Sequence, residues 1–215
     1  AAVALKAELS GLLASAPDRG LQSHDLQPAQ TLAGTVPLAE QVKRVAEQLE
    51  PLDPSYNDGW MRSPALEGMW ELAFTSSRVF HRNGGLTGYT MFLPGVSTPS
   101  LFMSIGPDAG RLAFTEPVQA EQPDVGGAAL PTEVVAECTW SVGPNEALKV
   151  ECKRYIAGEK TWAPRAGAGA SDEVDFDADK AVRVLAMTFP IYLDAELLIL
   201  RGQVPEIMWV FQRPS

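Results

Sequence analysis

From Glu67 onward the chain is a train of short segments in which apolar and polar residues alternate, with no helical period between them. In Gly68–Ser76, Trp70, Leu72 and Phe74 share one face while Glu71, Ala73 and Thr75 share the other. Gly88–Leu93, Leu101–Ile105 and Leu112–Glu116 read as further strands, punctuated by Pro94-Gly95, Pro99 and Gly106-Pro107. Glu133–Val142 and Ala147–Ile156 predict a hairpin across Gly143-Pro144-Asn145. With Ala181–Phe189, Tyr192–Leu200 and Glu206–Gln212 the total comes to about nine strands. Asn83-Gly84-Gly85 tolerates positive φ and predicts a hairpin tip, which His81 and Arg82 would flank. Strands at this density argue against a βαβ sheet and for an antiparallel barrel or sandwich, of which the barrel is the preferred reading.

The first 56 residues carry a different period. Leu5, Leu9, Leu12 and Leu13 predict a helix over Ala2–Ser15 that Pro17 ends. Leu38, Val42, Val45 and Leu49 form the apolar stripe of a second helix, opened by Thr35 and Pro37 and closed by Pro51 and Pro54. The expected organisation is a helical extension over residues 1–56 packed on a barrel over residues 57–215. A chain of 215 residues of this kind buries roughly 70% of its unfolded surface. Glu116–Pro131 and Ala157–Lys180 interrupt the strands and read as surface loops.

A net charge of −10 repels phosphate backbones and anionic headgroups, so neither nucleic acid nor polybasic membrane docking is expected. No apolar run reaches the roughly 18–20 residues that span a bilayer; the longest, near Ala195–Leu200, is broken by Glu196 and ended by Arg201. Membrane association is therefore expected to be peripheral. The start at Ala1 rather than Met suggests a processed or trimmed start.

No catalytic or metal constellation is expected. Asp172–Asp179 contains D-x-D-x-D, but Lys180 and Ala186 stand where a calcium loop needs Gly and Glu. Ser97 lacks the G-x-S-x-G elbow, phosphate-binding glycine motifs are absent, and His24 and His81 are far apart in the chain. The aromatic set carries more. Trp70, Leu72, Phe74, Trp140, Trp209 and Phe211 fall on shared strand faces, where they either fill a core or line a cavity for an apolar ligand.

Four short motifs stand in a fixed order: Asp18-Arg19-Gly20-Leu21; Leu49-Glu50 with Asp53-Pro54; Leu66, Gly68, Trp70, Leu72, Phe74, Thr75 and Ser76; and Tyr192, Leu193, Asp194, Leu197, Arg201 and Gly202. Together they resemble the plastid lipid-associated proteins, or fibrillins. Leu198 replaces a usual Arg, Asp53 a usual Asn, and Gln203–Glu206 the usual acidic, glycine-containing turn. The resemblance implies a lipocalin-like β-barrel capped by two N-terminal helices and a chloroplast location, at plastoglobules or thylakoids. It implies a non-catalytic role with a lipid, isoprenoid quinone or carotenoid as ligand and no other cofactor. It also implies, as an alternative, a structural protein with a filled barrel, docked on a thylakoid complex or a partner enzyme. Asp18, Arg19, Gly20, Gly68, Tyr192, Asp194, Arg201 and Gly202 are then structural. Asp194 and Arg201 each need a partner in apolar surroundings, with Arg19 the expected one for Asp194.

The two cysteines close the reading. Keeping Val134, Ala136, Cys138, Trp140 and Val142 on the same side as Leu148, Val150 and Cys152 requires paired residue numbers with an even sum, and a three-residue loop at Pro144–Glu146 sets Cys138 opposite Cys152. Such a pair is expected as thiols in a reducing stroma and able to close in an oxidising lumen.

Overall fold

The computed structural model describes residues 1–16, 36–55, 59–91, 93–106, 110–120, 130–163, 185–203 and 207–214. Two helices, α1 (Ala2–Ser15) and α2 (Leu38–Leu49), precede β1 (Gly68–Thr75) and the short α3 (Arg78–Asn83). Then follow β2 (Val96–Ser97), β3 (Phe102–Ile105), β4 (Leu112–Pro117), β5 (Gln119–Ala120), β6 (Glu133–Val142) and β7 (Leu148–Ala157). The chain ends with β8 (Lys160–Trp162), β9 (Met187–Leu193), β10 (Leu197–Gly202) and β11 (Met208–Gln212). Eight strands close into an antiparallel barrel in the order β1, β3, β4, β6, β7, β9, β10, β11, the last pairing back on β1. This is the expected architecture. β8 adds to one end of β7, and β2 with β5 forms a separate two-stranded ribbon.

The barrel has two different walls, and residue pattern explains both. On β4 the burial alternates strictly, Leu112, Phe114 and Glu116 facing in, because solvent lies outside. On β10 and β11, Leu197–Leu200 and Met208–Phe211 are buried on both faces. Their outward residues, Leu197, Ile199, Met208 and Val210, are covered by Leu9 of α1 and Val42, Val45, Ala46 and Leu49 of α2. Strands buried on both faces read as continuous apolar runs, as these do. Full burial of the Val42, Val45 and Leu49 side chains stabilises the docked helix by about 1.5–3 kcal/mol each.

Glu133–Val142 and the following strand form the predicted hairpin. Its loop, Pro144–Glu146, is one turn of 3₁₀ helix, with Asn145 and Glu146 at φ 55° and 59°. Cys138 opposes Cys152, Trp140 opposes Val150 and Val142 opposes Leu148. Beyond them the register shifts: Glu137 pairs with Arg154, leaving Lys153 as the extra residue of a bulge.

Three expected elements are different. Asn83-Gly84-Gly85 is not a hairpin tip but the end of α3. Ser77 caps that helix at its start, and Gly84 (φ 64°, ψ 25°) ends it, its N–H donating to the His81 carbonyl and that of Gly85 to the Phe80 carbonyl. Gly88–Leu93 is not a strand. Gly84, Gly85, Gly88 and Gly95 all take positive φ, and the chain winds through turns closed by Met91 N–H to Gly88 O and Leu93 N–H to Thr90 O. Tyr192–Leu200 is not one strand but the junction of β9 and β10. The Asp194 carboxylate accepts from the Glu196 and Leu197 amides, both at 2.9 Å, and turns the chain. Residues 18–20, 24 and 172–179, on which the first motif, His24 and the acidic run lie, are outside the described residues.

Candidate functional site in the barrel interior

Of the six side chains expected to line the barrel, five do. Trp70, Leu72, Trp209 and Phe211 belong to the buried interior cluster, and Trp140 packs against it. Phe74 does not. The β1–β11 register shifts between Leu72, opposite Phe211, and Phe74, opposite Val210, so Ala73 is the extra residue of a bulge. Opposed residues share a face, and Phe74 is therefore turned outward onto the helices, beside Val210 and Ile199. Thr75 moves inward with the same slip, opposite Trp209.

Each end of the interior is occupied by chain. At one end lies the segment before β1, where Trp60 donates from Nε1 to the Glu146 carbonyl at 2.8 Å and its ring sits 5.9 Å from that of Trp140. Trp70 donates to the Leu66 carbonyl at 2.9 Å. At the other end α3 inserts Phe80, edge-on to Trp209 with centroids 5.6 Å apart, and the following turn inserts Leu86, which is fully buried. Tyr155 stacks on Trp162 at 5.6 Å in the wall between β7 and β8.

Polar groups within this apolar space decide what it can do. The carboxylate of Glu116, buried on the inner face of β4, accepts from the Leu86 amide and from both the amide and the hydroxyl of Thr87. Burial pushes its pKa up, and the hydrogen bonds from Thr87 and Leu86 offset part of that. Among the described residues, three further polar atoms in this interior are buried without a hydrogen-bond partner: Nε1 of Trp209, Nε1 of Trp140 and Oγ1 of Thr188. Thr188 opposes Leu148, an interior residue, so it also faces in. Buried donors in folded proteins are nearly always satisfied, by protein or by something else. The interior thus combines an aromatic and aliphatic wall with two indole N–H donors and one hydroxyl.

Glu50, Asp53, Tyr192, Asp194 and Arg201 of the motifs gather elsewhere, at the corner between the helices and the barrel, while Gly68 lies against Arg213. Asp194 pairs with Lys6 of α1 at 2.8 Å and accepts from the Tyr192 hydroxyl at 2.9 Å. Arg19, the partner expected for it, lies outside the described residues. Burial alone would raise the Asp194 pKa, but Lys6, the Glu196 amide, Tyr192 and the Leu197 amide outweigh it and hold the carboxyl below its ordinary value. The Tyr192 hydroxyl is pushed up to about 12, first by burial and then by Asp194. Arg201 forms a two-pronged pair with Glu50 at 3.1 and 3.2 Å, and Asp53 accepts from the Leu193 amide and from Ser55. Glu50, Asp53, Ser55 and Arg201 rim an open groove of about 570 Å³ with Trp60, Asn145 and Phe189, and the contacts of Asp53 and Arg201 tie helix to barrel. Gly202 leaves little room for a side chain, since a Cβ there would lie 3.1 Å from that of Ile207.

Sequence reasoning missed Glu116 and Arg213. Glu116 was legible by parity, because Leu112, Phe114 and Glu116 share one face of a single strand. Arg213 carried no local signal. Its guanidinium lies 3.8 Å over the Trp70 ring and donates to the carbonyls of Ala65, Glu67 and Met69, contacts spanning nearly the whole barrel sequence. Compared with protein-family models, with curated proteins and with solved structures, the chain finds no match.

Proposed function

We propose that this protein is a non-catalytic binder or carrier of apolar lipids or isoprenoids, of the plastid lipid-associated (fibrillin) kind. It works in the chloroplast, at thylakoids or plastoglobules. The observation that carries the reading is the interior of the barrel: a closed wall of buried aromatic and aliphatic side chains that also holds unpartnered indole and hydroxyl donors. A protein that only needed a filled core gains nothing from leaving Trp209 Nε1 and Thr188 Oγ1 buried and unpaired, at a cost of about 1–3 kcal/mol each. The plastid assignment rests on the four ordered sequence motifs. Among the described residues no helix is long and apolar enough to cross a membrane. Attachment is peripheral, through lipid or through a thylakoid complex or partner enzyme.

The test is extraction of the natively purified protein into organic solvent, followed by mass spectrometry, with a fluorescent fatty-acid probe added to the extracted and refolded protein. A stoichiometric apolar ligand, or saturable uptake of the probe, is the expected result. Repeated absence of ligand together with failure to bind the probe overturns the reading. It would leave the alternative, a structural interaction protein whose barrel is filled.

A further inference from the structure

The chain has two cysteines, and the barrel wall places them directly opposite one another, Cys138 on β6 and Cys152 on β7. Both are thiols, Cys138 directed to the Ala136 carbonyl at 3.6 Å and Cys152 to the Arg154 carbonyl at 3.8 Å. Directly opposed residues of an antiparallel pair have Cα atoms about 4.5–5.5 Å apart, inside the span that a disulfide bridges without backbone movement. The bulge at Lys153 ends the regular pairing immediately beside them, so β7 is locally less constrained by the ladder at this point than elsewhere in the hairpin.

The two sulfurs differ in access. Cys138 is buried in the interior cluster, whereas Cys152 is half-buried. Its side-chain hydrogen bond with Cys152, burial and the neighbouring Cys152 and Glu137 charges all push the Cys138 thiol up, which makes it a poor nucleophile at rest.

From this placement we infer that Cys138 and Cys152 form a reversible thiol–disulfide site in the barrel wall, with Cys152 the sulfur that meets the exchange partner. The partner is itself a disulfide, R–S–S–R, of a small thiol or a protein dithiol couple. The Cys152 thiolate attacks one sulfur of R–S–S–R, forming the mixed disulfide Cys152–S–S–R and releasing R–S⁻, which takes up the Cys152 proton. Cys138 then loses its proton and attacks the Cys152 sulfur, expelling the second R–S⁻, which takes up that proton. Two protein thiols are oxidised and one external disulfide is reduced to two thiols. The bond joins β6 to β7 beside Trp140, whose ring packs on Trp60 at one end of the barrel interior. Oxidation therefore staples the wall where the ladder is interrupted.

The test equilibrates the full chain with graded ratios of oxidised to reduced glutathione, quenches it in acid, alkylates it and measures intact mass. The wild type is expected to pass from two alkylated sulfurs to none in one two-electron step that dithiothreitol reverses. The melting temperature of the oxidised form should rise by roughly 5 °C or more. Cys138→Ser should accumulate a glutathione adduct on Cys152, while Cys152→Ser should leave the buried Cys138 unmodified on the same time scale. A wild type that stays doubly alkylated at the most oxidising ratio, or that stops at a stable glutathione adduct, would overturn the inference. So would Cys138 reacting as fast in Cys152→Ser as Cys152 does in Cys138→Ser. The wild-type titration decides the matter even where a variant fails to fold.

Discussion

Gly68 opens β1 at φ +105°, and a Cβ placed there would stand 2.8 Å from Nη1 of Arg213. That guanidinium cannot yield without loss. It is held by the Ala65, Glu67 and Met69 carbonyls at 2.6–3.0 Å and covers the Trp70 ring, so displacing it uncovers carbonyl oxygens and an interior tryptophan together. Two independent penalties follow for Gly68→Ala, one from backbone strain at positive φ and one from the broken guanidinium network. The expected cost is about 2–4 kcal/mol, read as a lower urea midpoint with unchanged slope. A midpoint within error of wild type would show that Arg213 can relocate freely and that Gly68 is not needed for its seat. Gly68 was visible in the sequence only as a motif position. The reason for it arrives from the far end of the chain, which no local pattern contains.

At the scale of elements, legibility depended on whether one neighbour or several shaped the pattern. β6 and β7 face solvent on one side only, so their alternation made the hairpin legible, and with a three-residue loop it also set Cys138 opposite Cys152. The segment over residues 78–91 has no such periodicity, because it is a plug held at the barrel end by Leu86, Phe80 and the Glu116 carboxylate rather than by a ladder. The bulges at Ala73 and Lys153 were equally invisible, since a one-residue slip leaves composition unchanged while reversing faces. The plug makes a testable demand on Glu116. Its carboxyl is fully buried and its pKa is raised, so the folded protein holds that proton more tightly than the unfolded chain, whose value is about 4.3. The stabilisation linked to this proton is fully present below about pH 4.3 and is lost as pH rises through the folded value. Glu116→Gln keeps an acceptor for the Leu86 amide and removes the titration. The stability of wild type relative to Glu116→Gln should therefore fall as pH is raised from about 4. Denaturation midpoints of the two proteins across that range measure it, and a pH-independent difference would mean that burial does not govern this carboxyl.

Over the whole molecule, β9, β10 and β11 carry two apolar layers at once. Trp209, Phe211, Leu198 and Leu200 face the barrel interior, while Met208, Val210, Ile199 and Ile191 face the helices. The same peptide backbone thus serves a core inside the wall and a second core outside it, and neither layer can loosen without disturbing the strands of the other. The sequence carried this arrangement in the open, as the apolar runs of Leu197–Leu200 and Ile207–Phe211, but a run without alternation does not say what covers its outer face. The covering helices were legible as amphipathic stripes, yet only their docking on this wall explains why both faces are apolar here. If the coupling is real, the helices and the barrel unfold as one unit. The chain supplies separate reporters, because all five tryptophans lie outside α1 and α2, whereas those two helices make up most of the α-helix among the described residues. Val45→Ala removes two buried methyl groups from the outer layer alone, at an expected cost of about 2 kcal/mol. Its melting temperature should drop by roughly 4–8 °C in a chain of this size. The tryptophan fluorescence of the barrel should shift by the same amount as the helical signal, although no tryptophan touches the substituted side of α2. Coincident transitions in wild type and variant are the outcome that a shared wall requires. A helical signal that melts ahead of an unmoved fluorescence transition would show that the helices dock on an independently stable barrel.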